Sequence, residues 1–267
     1  MTPMADAAGG PGRSLRAPSR LHAFNRYEIK YLVDVTALGP LSDELAVQLA
    51  PAGEYSVWSL YYDTPQLRFY WEKVEGLRFR RKLRLRHYGE PGTLGPDGDV
   101  FVEIKQRVNR VTQKRRVRMP YTAARRLCDG RAMVDHEPAE RPFLDEVLGL
   151  AAGLDLRPVT ITGYRRQAFV GRDAQTGLRL TIDQRVRGRD RDLDLALAAE
   201  NRFIVPAARA IVEVKANERV PYWFTDLAAR CGLQVARISK YCQSVEVFGR
   251  APRSVFHVPE YDAVELT

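Results

Sequence analysis

Between Arg78 and Arg86 the chain reads R-F-R-R-K-L-R-L-R, with a cation at every second position. Successive side chains of a β-strand point to opposite faces. Arg78, Arg80, Lys82, Arg84 and Arg86 therefore share one face, and Phe79, Leu83 and Leu85 take the face that wants burial. Period-2 alternation recurs along the chain between Gly, Pro and Asp/Asn breaks, and predicts strands at about 24–33, 55–63, 77–88, 99–107, 113–119, 158–170, 177–185 and 209–216. Helical periodicity appears at about 36–50, 65–74, 121–129, 140–151 and 221–231. Pro120, Pro142 and Pro221 stand where helix starts tolerate proline. Residues 89–99 read as a hairpin loop and Asn109 as part of a tighter one. Residues 187–206 carry charged and then apolar positions with no assignable period. Short strands with helices between them predict an antiparallel α+β domain over 22–250, with tails at 1–21 and 251–267.

The strands share a polar face of unusual composition. Glu28-x-Lys30, Glu103-x-Lys105 and Glu213-x-Lys215 repeat one acid-x-Lys pattern, and Lys114-x-Arg116-x-Arg118 and Arg179-x-Thr181-x-Asp183 follow the same alternation. Neighbouring cations on one strand face lie roughly 7 Å apart. At an effective dielectric near 20 each adjacent pair repels by about 2 kcal/mol. One such strand is an ordinary solvated edge; the same pattern on nearly every strand is not. Closing the sheet with its apolar face outward, beneath the helices, makes a β-barrel with a charged interior, suited to a multiply charged ligand.

Composition narrows the partners. The chain has 267 residues, 45% of them hydrophobic, which suffices for a real core, and a net charge of +9. That charge favours acidic partners. Of the 42 basic residues, 35 are Arg and 7 are Lys, and six of the lysines (Lys30, Lys82, Lys105, Lys114, Lys215 and Lys240) fall in strand-like or motif segments. Compact ammonium groups there suit close phosphate contact. Cys128, Cys231 and Cys242 form no CxxC pair, which disfavours a disulfide framework or a zinc site and fits a reducing cytoplasm. No apolar run approaches the roughly 18 residues of a membrane span. A soluble, cytoplasmic protein is expected, with any membrane association running through a partner protein.

In order along the chain, R-Y-E-I-K-Y-L-V (26–33), S-L-Y-Y-D-T-P (59–65), K-L-R-L-R-H-Y-G (82–89), F-V-E-I-K (101–105), T-Q-K-R-R-V (112–117), G-Y-R-R-Q-A-F (163–169), L-R-L-T-I-D (178–183), V-E-V-K (212–215) and R-I-S-K-Y (237–241) resemble the triphosphate tunnel (CYTH-like) superfamily. Within it they look most like the polyphosphate-polymerase, or vacuolar transporter chaperone (VTC), catalytic domain. The superfamily's opening Glu-x-Glu-x-Lys is reduced here to Glu28 and Lys30, with Arg26 in the first place. This departure disfavours the adenylate-cyclase and thiamine-triphosphatase branch.

The resemblance implies a closed eight-stranded antiparallel tunnel with helices outside, which moves the γ-phosphate of ATP onto a growing inorganic polyphosphate chain. Carried over by motif, Arg84, Arg86, Arg166, Arg179 and Lys240 form the expected catalytic set. Lys30, Lys105, Lys114 and Arg116 would grip phosphate, Tyr164 and Ser239 would hydrogen-bond it, and Arg237 holds a position of less certain role. Lys82 and Lys215 join the substrate-binding set from their strand faces. Glu213 is the first choice for a Mn²⁺ or Mg²⁺ ligand, with Glu103 or Asp183 as assistants.

The residues also bear on the chemistry directly. Transfer to a terminal phosphate uses a nucleophile largely ionised at neutral pH, so no strong general base is required. The histidines His22, His87, His136 and His257 are scattered, and His87 alternates off the cationic face. No Walker or Rossmann glycine run occurs, so ATP would be held by side chains. Glu28 and Glu103 have a second reading, as counter-ions between cations that would otherwise repel. Asp63 reads as a turn or helix cap before Pro65. Two other functions stay open: a triphosphatase on inorganic or nucleoside triphosphate, and a non-catalytic polyanion binder. Specific nucleic-acid binding is not expected, because the 78–86 strand carries its one aromatic on the other face.

Overall fold

A computed structural model describes residues 26–252, apart from 91, 110, 173, 174, 176 and 218. The expected tail at 1–21, residues 253–267 of the tail expected at 251–267, and His22 and His257 lie outside the described residues. The alternating segments form the strands β1 (Arg26–Asp34), β2 (Leu49–Asp63), β3 (Phe79–Tyr88), β4 (Asp99–Val108), β5 (Val111–Pro120), β6 (Arg157–Gly171), β7 (Arg179–Arg189) and β9 (Arg209–Asn217). Two two-residue strands, β8 (Arg202–Phe203) and β10 (Gln234–Val235), were not expected. The helices are α1 (Leu38–Gln48), α2 (Arg68–Val74), α3 (Tyr121–Cys128), α4 (Arg141–Gly153), α5 (Tyr222–Arg230) and α6 (Lys240–Val247).

All described strand pairs are antiparallel, in the order β10-β1-β9-β7-β6-β2-β3-β4-β5, with β8 added beside β7. The expected closed eight-stranded barrel is therefore corrected: the sheet has ten strands and its hydrogen-bonded path is open. Beyond β9, β1 pairs only with β10, at Tyr31 and Leu32, and no strand pairs the outer edge of β5 among the described residues. Yet Lys105 on β4 lies 3.5 Å from Glu28 on β1. Strands six places apart in the order can touch only if the sheet curls, so the arc is drawn together by side chains where backbone pairing stops.

The apolar alternates lie on the convex side. Leu60, Leu83, Leu85, Val102, Ile104 and Val117 pack under α3 and α4 with Ala124, Leu127, Leu144 and Val147. Leu180, Ile182, Val212 and Val214 pack under α1 and α5 with Leu41, Leu45, Phe224 and Leu227. Burial of such side chains contributes roughly 1.5–3 kcal/mol each. Arg81, the cation on the apolar face of β3, is neutralised by buried Glu72 at 2.5 Å.

Helix α6 departs from the outside-helix expectation. The segment before it reaches into the arc, where Ile238 O accepts from Lys30 Nζ (3.3 Å) and Ser239 Oγ accepts from Lys82 Nζ (2.7 Å). Ser239 also caps the helix through the Cys242 N–H. Tyr241, Cys242 and Val245 then pack with Tyr61, Leu67 and Tyr70. The unassigned 187–206 stretch is held from within by buried Arg189, whose guanidinium donates to Asp192 O (2.9 Å), Leu197 O (3.1 Å) and Asn201 Oδ1 (3.2 Å).

Candidate functional site

The polar alternates meet on the concave side around three carboxylate nodes. The first is Glu103 on β4, 1% exposed. Arg84 donates to its Oε2 through Nε (2.7 Å), with Nη2 2.6 Å from the same oxygen, and Lys114 reaches Oε1 at 2.5 Å. Arg86 and Arg116 each stand 3.8 Å away. The register explains the convergence, because Arg84 and Arg116 lie directly opposite Glu103 on its two neighbouring strands. Burial alone would raise the Glu103 pKa, but the charges of Arg84, Arg86 and Lys114 outweigh it and bring it down to about 2.

The second node is Asp183 on β7, which has no exposed surface. Arg166, its register partner on β6, clamps it with Nε at 2.6 Å and Nη2 at 2.7 Å, and Lys240 reaches it at 2.5 Å. Burial is again outweighed, here by Lys240 and Arg166, and the carboxyl is held below its usual range. The Tyr164 ring lies beneath both cations, 5.0 Å from the Arg166 guanidinium carbon and 4.3 Å from Lys240 Nζ.

The third node joins β1 and β9. Glu213 pairs with Lys215 and with Lys30 (3.6 Å), while Glu28 pairs with Lys30 (3.4 Å) and Lys105 (3.5 Å). Lys30, Lys215 and Lys240 overcome burial and hold Glu213 well below the usual carboxylate range. Lys82 has no carboxylate partner in this set; burial lowers its pKa to about 8.

Most of the sequence-predicted residues are thus brought together. Ten cations (Lys30, Lys82, Arg84, Arg86, Lys105, Lys114, Arg116, Arg166, Lys215 and Lys240) surround Glu28, Glu103, Asp183 and Glu213, with Tyr164 and Ser239 among them. Two expected residues stand apart. Arg179 is exposed and its Nη2 donates to Tyr55 Oη (3.2 Å), although its backbone lies opposite Lys215. Arg237 is exposed on the segment before α6. Arg78 precedes β3 and is also exposed.

Glu28 and Glu103 take the counter-ion position of their second reading. Asp63 takes the cap position: its carboxylate accepts from the N–H groups of Thr64 (2.7 Å), Phe69 (2.8 Å) and Tyr70 (2.9 Å) and from the Tyr241 hydroxyl. His87 sits opposite Trp58 in register, away from the three nodes, and His136 Nδ1 lies 2.7 Å from Val134 O.

Sequence reasoning missed Ser59 and Tyr61 on the inner face of β2. Ser59 Oγ accepts from Arg86 Nε (3.2 Å), and Tyr61 Oη accepts from Arg84 Nη1 (3.0 Å). The signal was present as Ser59-x-Tyr61-x-Asp63, the same period-2 polar face with hydroxyls in place of charges.

Fold and site together define an antiparallel-sheet protein with a curled, cation-lined interior. The chain belongs to the VTC domain family, whose model matches residues 25–249. It is 26% identical over 229 residues to vacuolar transporter chaperone complex subunit 4 of Trypanosoma cruzi, covering 73% of this chain and 28% of that protein. The match thus spans little more than a quarter of the relative. Solved structures of similar shape include a Hippeastrum protein described as an adenylyl cyclase with dominant triphosphatase activity (17% identity, 83% of this chain, 95% of that chain, TM-score 0.46). Another is an adenylate-cyclase-type protein from Bacillus halodurans (12% identity, 83% of this chain, 95% of that chain, TM-score 0.47). Among the described residues no helix is long and apolar enough to cross a membrane.

Proposed function

We propose that this protein is an ATP-dependent polyphosphate polymerase that passes the γ-phosphate of ATP to a polyphosphate chain lying along the curled sheet. The observation that carries this reading is the excess of ten inward cations over four carboxylates, each carboxylate already engaged by cations. Such an interior retains six uncompensated charges, and a string of phosphates supplies anions at a comparable spacing. Phosphoryl transfer asks the protein mainly to position and neutralise. Arg84, held by a hydrogen bond and an ion pair to Glu103, and Arg166, held by two hydrogen bonds to Asp183, are preorganised to do so without reorganisation. Lys240 and Arg86 complete the catalytic group. Arg179, turned toward Tyr55, is better placed for substrate entry than for the transferring phosphate.

The donor set limits where a divalent ion fits. Glu103 and Asp183 are each clamped by an arginine as well as a lysine, so we assign both to positioning cations. Glu213 and its neighbour Glu28 pair with lysines (Lys30, Lys105 and Lys215), whose single ammonium groups can turn to phosphate and leave these carboxylates to a hard ion such as Mn²⁺ or Mg²⁺ that takes few protein carboxylates and completes its shell with phosphate oxygens and water. When bound, such an ion would add charge neutralisation at the phosphates. Glu213→Gln should then remove the metal dependence of activity; an unchanged manganese titration would rule out this ligand role.

Gel analysis of what purified protein makes from ATP and Mn²⁺ tests the function. Chains longer than triphosphate support polymerisation. Orthophosphate alone moves the assignment to a triphosphatase, and turnover of neither kind leaves a polyanion-binding protein.

A further inference from the structure

Tyr61 carries a proton that the structure leaves unspent. Its hydroxyl accepts a hydrogen bond from Arg84 Nη1, and a guanidinium has only donors, so the phenol's own hydrogen must go elsewhere. Among the described residues no hydrogen bond has Tyr61 as donor. The ring is only 5% exposed and cannot turn away to find a partner. It stacks on Tyr241 at 5.0 Å and 26°, and Tyr241 is anchored by its hydroxyl to Asp63, the carboxylate that also holds the start of α2. Arg84 is fixed in turn by Glu103. The phenol oxygen is therefore held from β2, β3, α2 and α6, in the middle of the cationic row.

We propose that Tyr61 is a phosphate-contacting residue, donating its hydroxyl to an oxygen of the anion in the channel. This rests on the polyanion reading of the site and adds a residue to it. The groups facing the phenol are Lys82, Arg84 and Arg86 on β3, Glu103 behind Arg84 on β4, Tyr164 on β6, Tyr70 on α2, and Tyr241 and Cys242 on α6. Burial opposes ionisation of the phenol, but Arg84, Arg86 and Lys82 outweigh it and bring its pKa down to about 7. The cations that acidify the O–H also draw an anion toward it, and the phenol then donates its hydrogen to a phosphate oxygen.

The probe is inorganic tripolyphosphate, with binding followed by calorimetry at neutral pH. Tyr61→Phe should keep the melting temperature of the free wild-type protein within a few degrees and bind tripolyphosphate about tenfold more weakly, the loss of one hydrogen bond to a charged group. Wild-type affinity in Tyr61→Phe would overturn the role of Tyr61 and leave the polyanion reading standing. Failure of tripolyphosphate to bind at all would remove both.

Discussion

Replacing Glu103 with Gln tests whether the carboxylates inside the sheet are counter-ions. The side chain keeps its shape but leaves Arg84, Arg86, Lys114 and Arg116 without their shared anion. Its pKa falls from the usual 4.5 to about 2 in the folded protein, a difference of roughly 2.5 units, or about 3.5 kcal/mol at about 1.4 kcal/mol per unit. Lys114 and Arg116 are partly solvated, so about 2–3 kcal/mol is the expected loss. For a domain of this size that lowers the melting temperature by roughly 5–10 °C. The sign follows from a depressed folded pKa: the stabilisation is complete above about 4.5 and is lost as pH falls through about 2. Urea unfolding of both proteins should show the full gap at neutral pH and less than half of it by about pH 3. Saturating tripolyphosphate should narrow the gap at neutral pH by supplying the missing charge. A gap under about 0.5 kcal/mol at neutral pH, or one that does not shrink with acid, would refute the counter-ion role.

Three further outcomes follow from the packing. Gly163→Ala should destabilise by about 1–3 kcal/mol and change Trp58 fluorescence, because the added Cβ would lie 2.4 Å from the Trp58 ring. Asp63→Asn loses one of the two acceptor oxygens shared by three backbone N–H groups and Tyr241; hydrogen exchange should show faster opening of the first turn of α2. Lys240→Met removes one of the two cations on Asp183 while Arg166 remains, so calorimetry should find tripolyphosphate affinity reduced about tenfold with the fold retained.

Legibility in the sequence ran furthest where structure is local. The 77–88 pattern lands on β3 within two residues because alternating Leu and Arg leave a strand one way to bury its apolar side. Boundaries failed where tertiary pairing overrode a local break. The strand expected from about 55 begins instead at Leu49, inside the helix expected over 36–50, and runs through Pro51 and Gly53, because β6 continues alongside and a register shift between Pro51 and Glu54 absorbs the irregularity. Helix α6 was missed because K-Y-C-Q-S-V-E-V is short and rich in strand-favouring residues; its legible signal was Ser239 as an N-cap ahead of Tyr241, Cys242 and Val245.

Side-chain alternation, a property of two adjacent peptides, was enough to assign each charge to a face and to show that cations crowd one side of the sheet. It could not say which cation meets which carboxylate. Lys240 meets Asp183 from 57 positions away, and Lys105 meets Glu28 from a strand six places along the sheet. Those pairings, the open edge between β5 and β1, and the trapping of Tyr61 beside Arg84 arise from how far the sheet curls and where α6 enters it. Curl and entry are set by packing between distant elements, which no local pattern encodes.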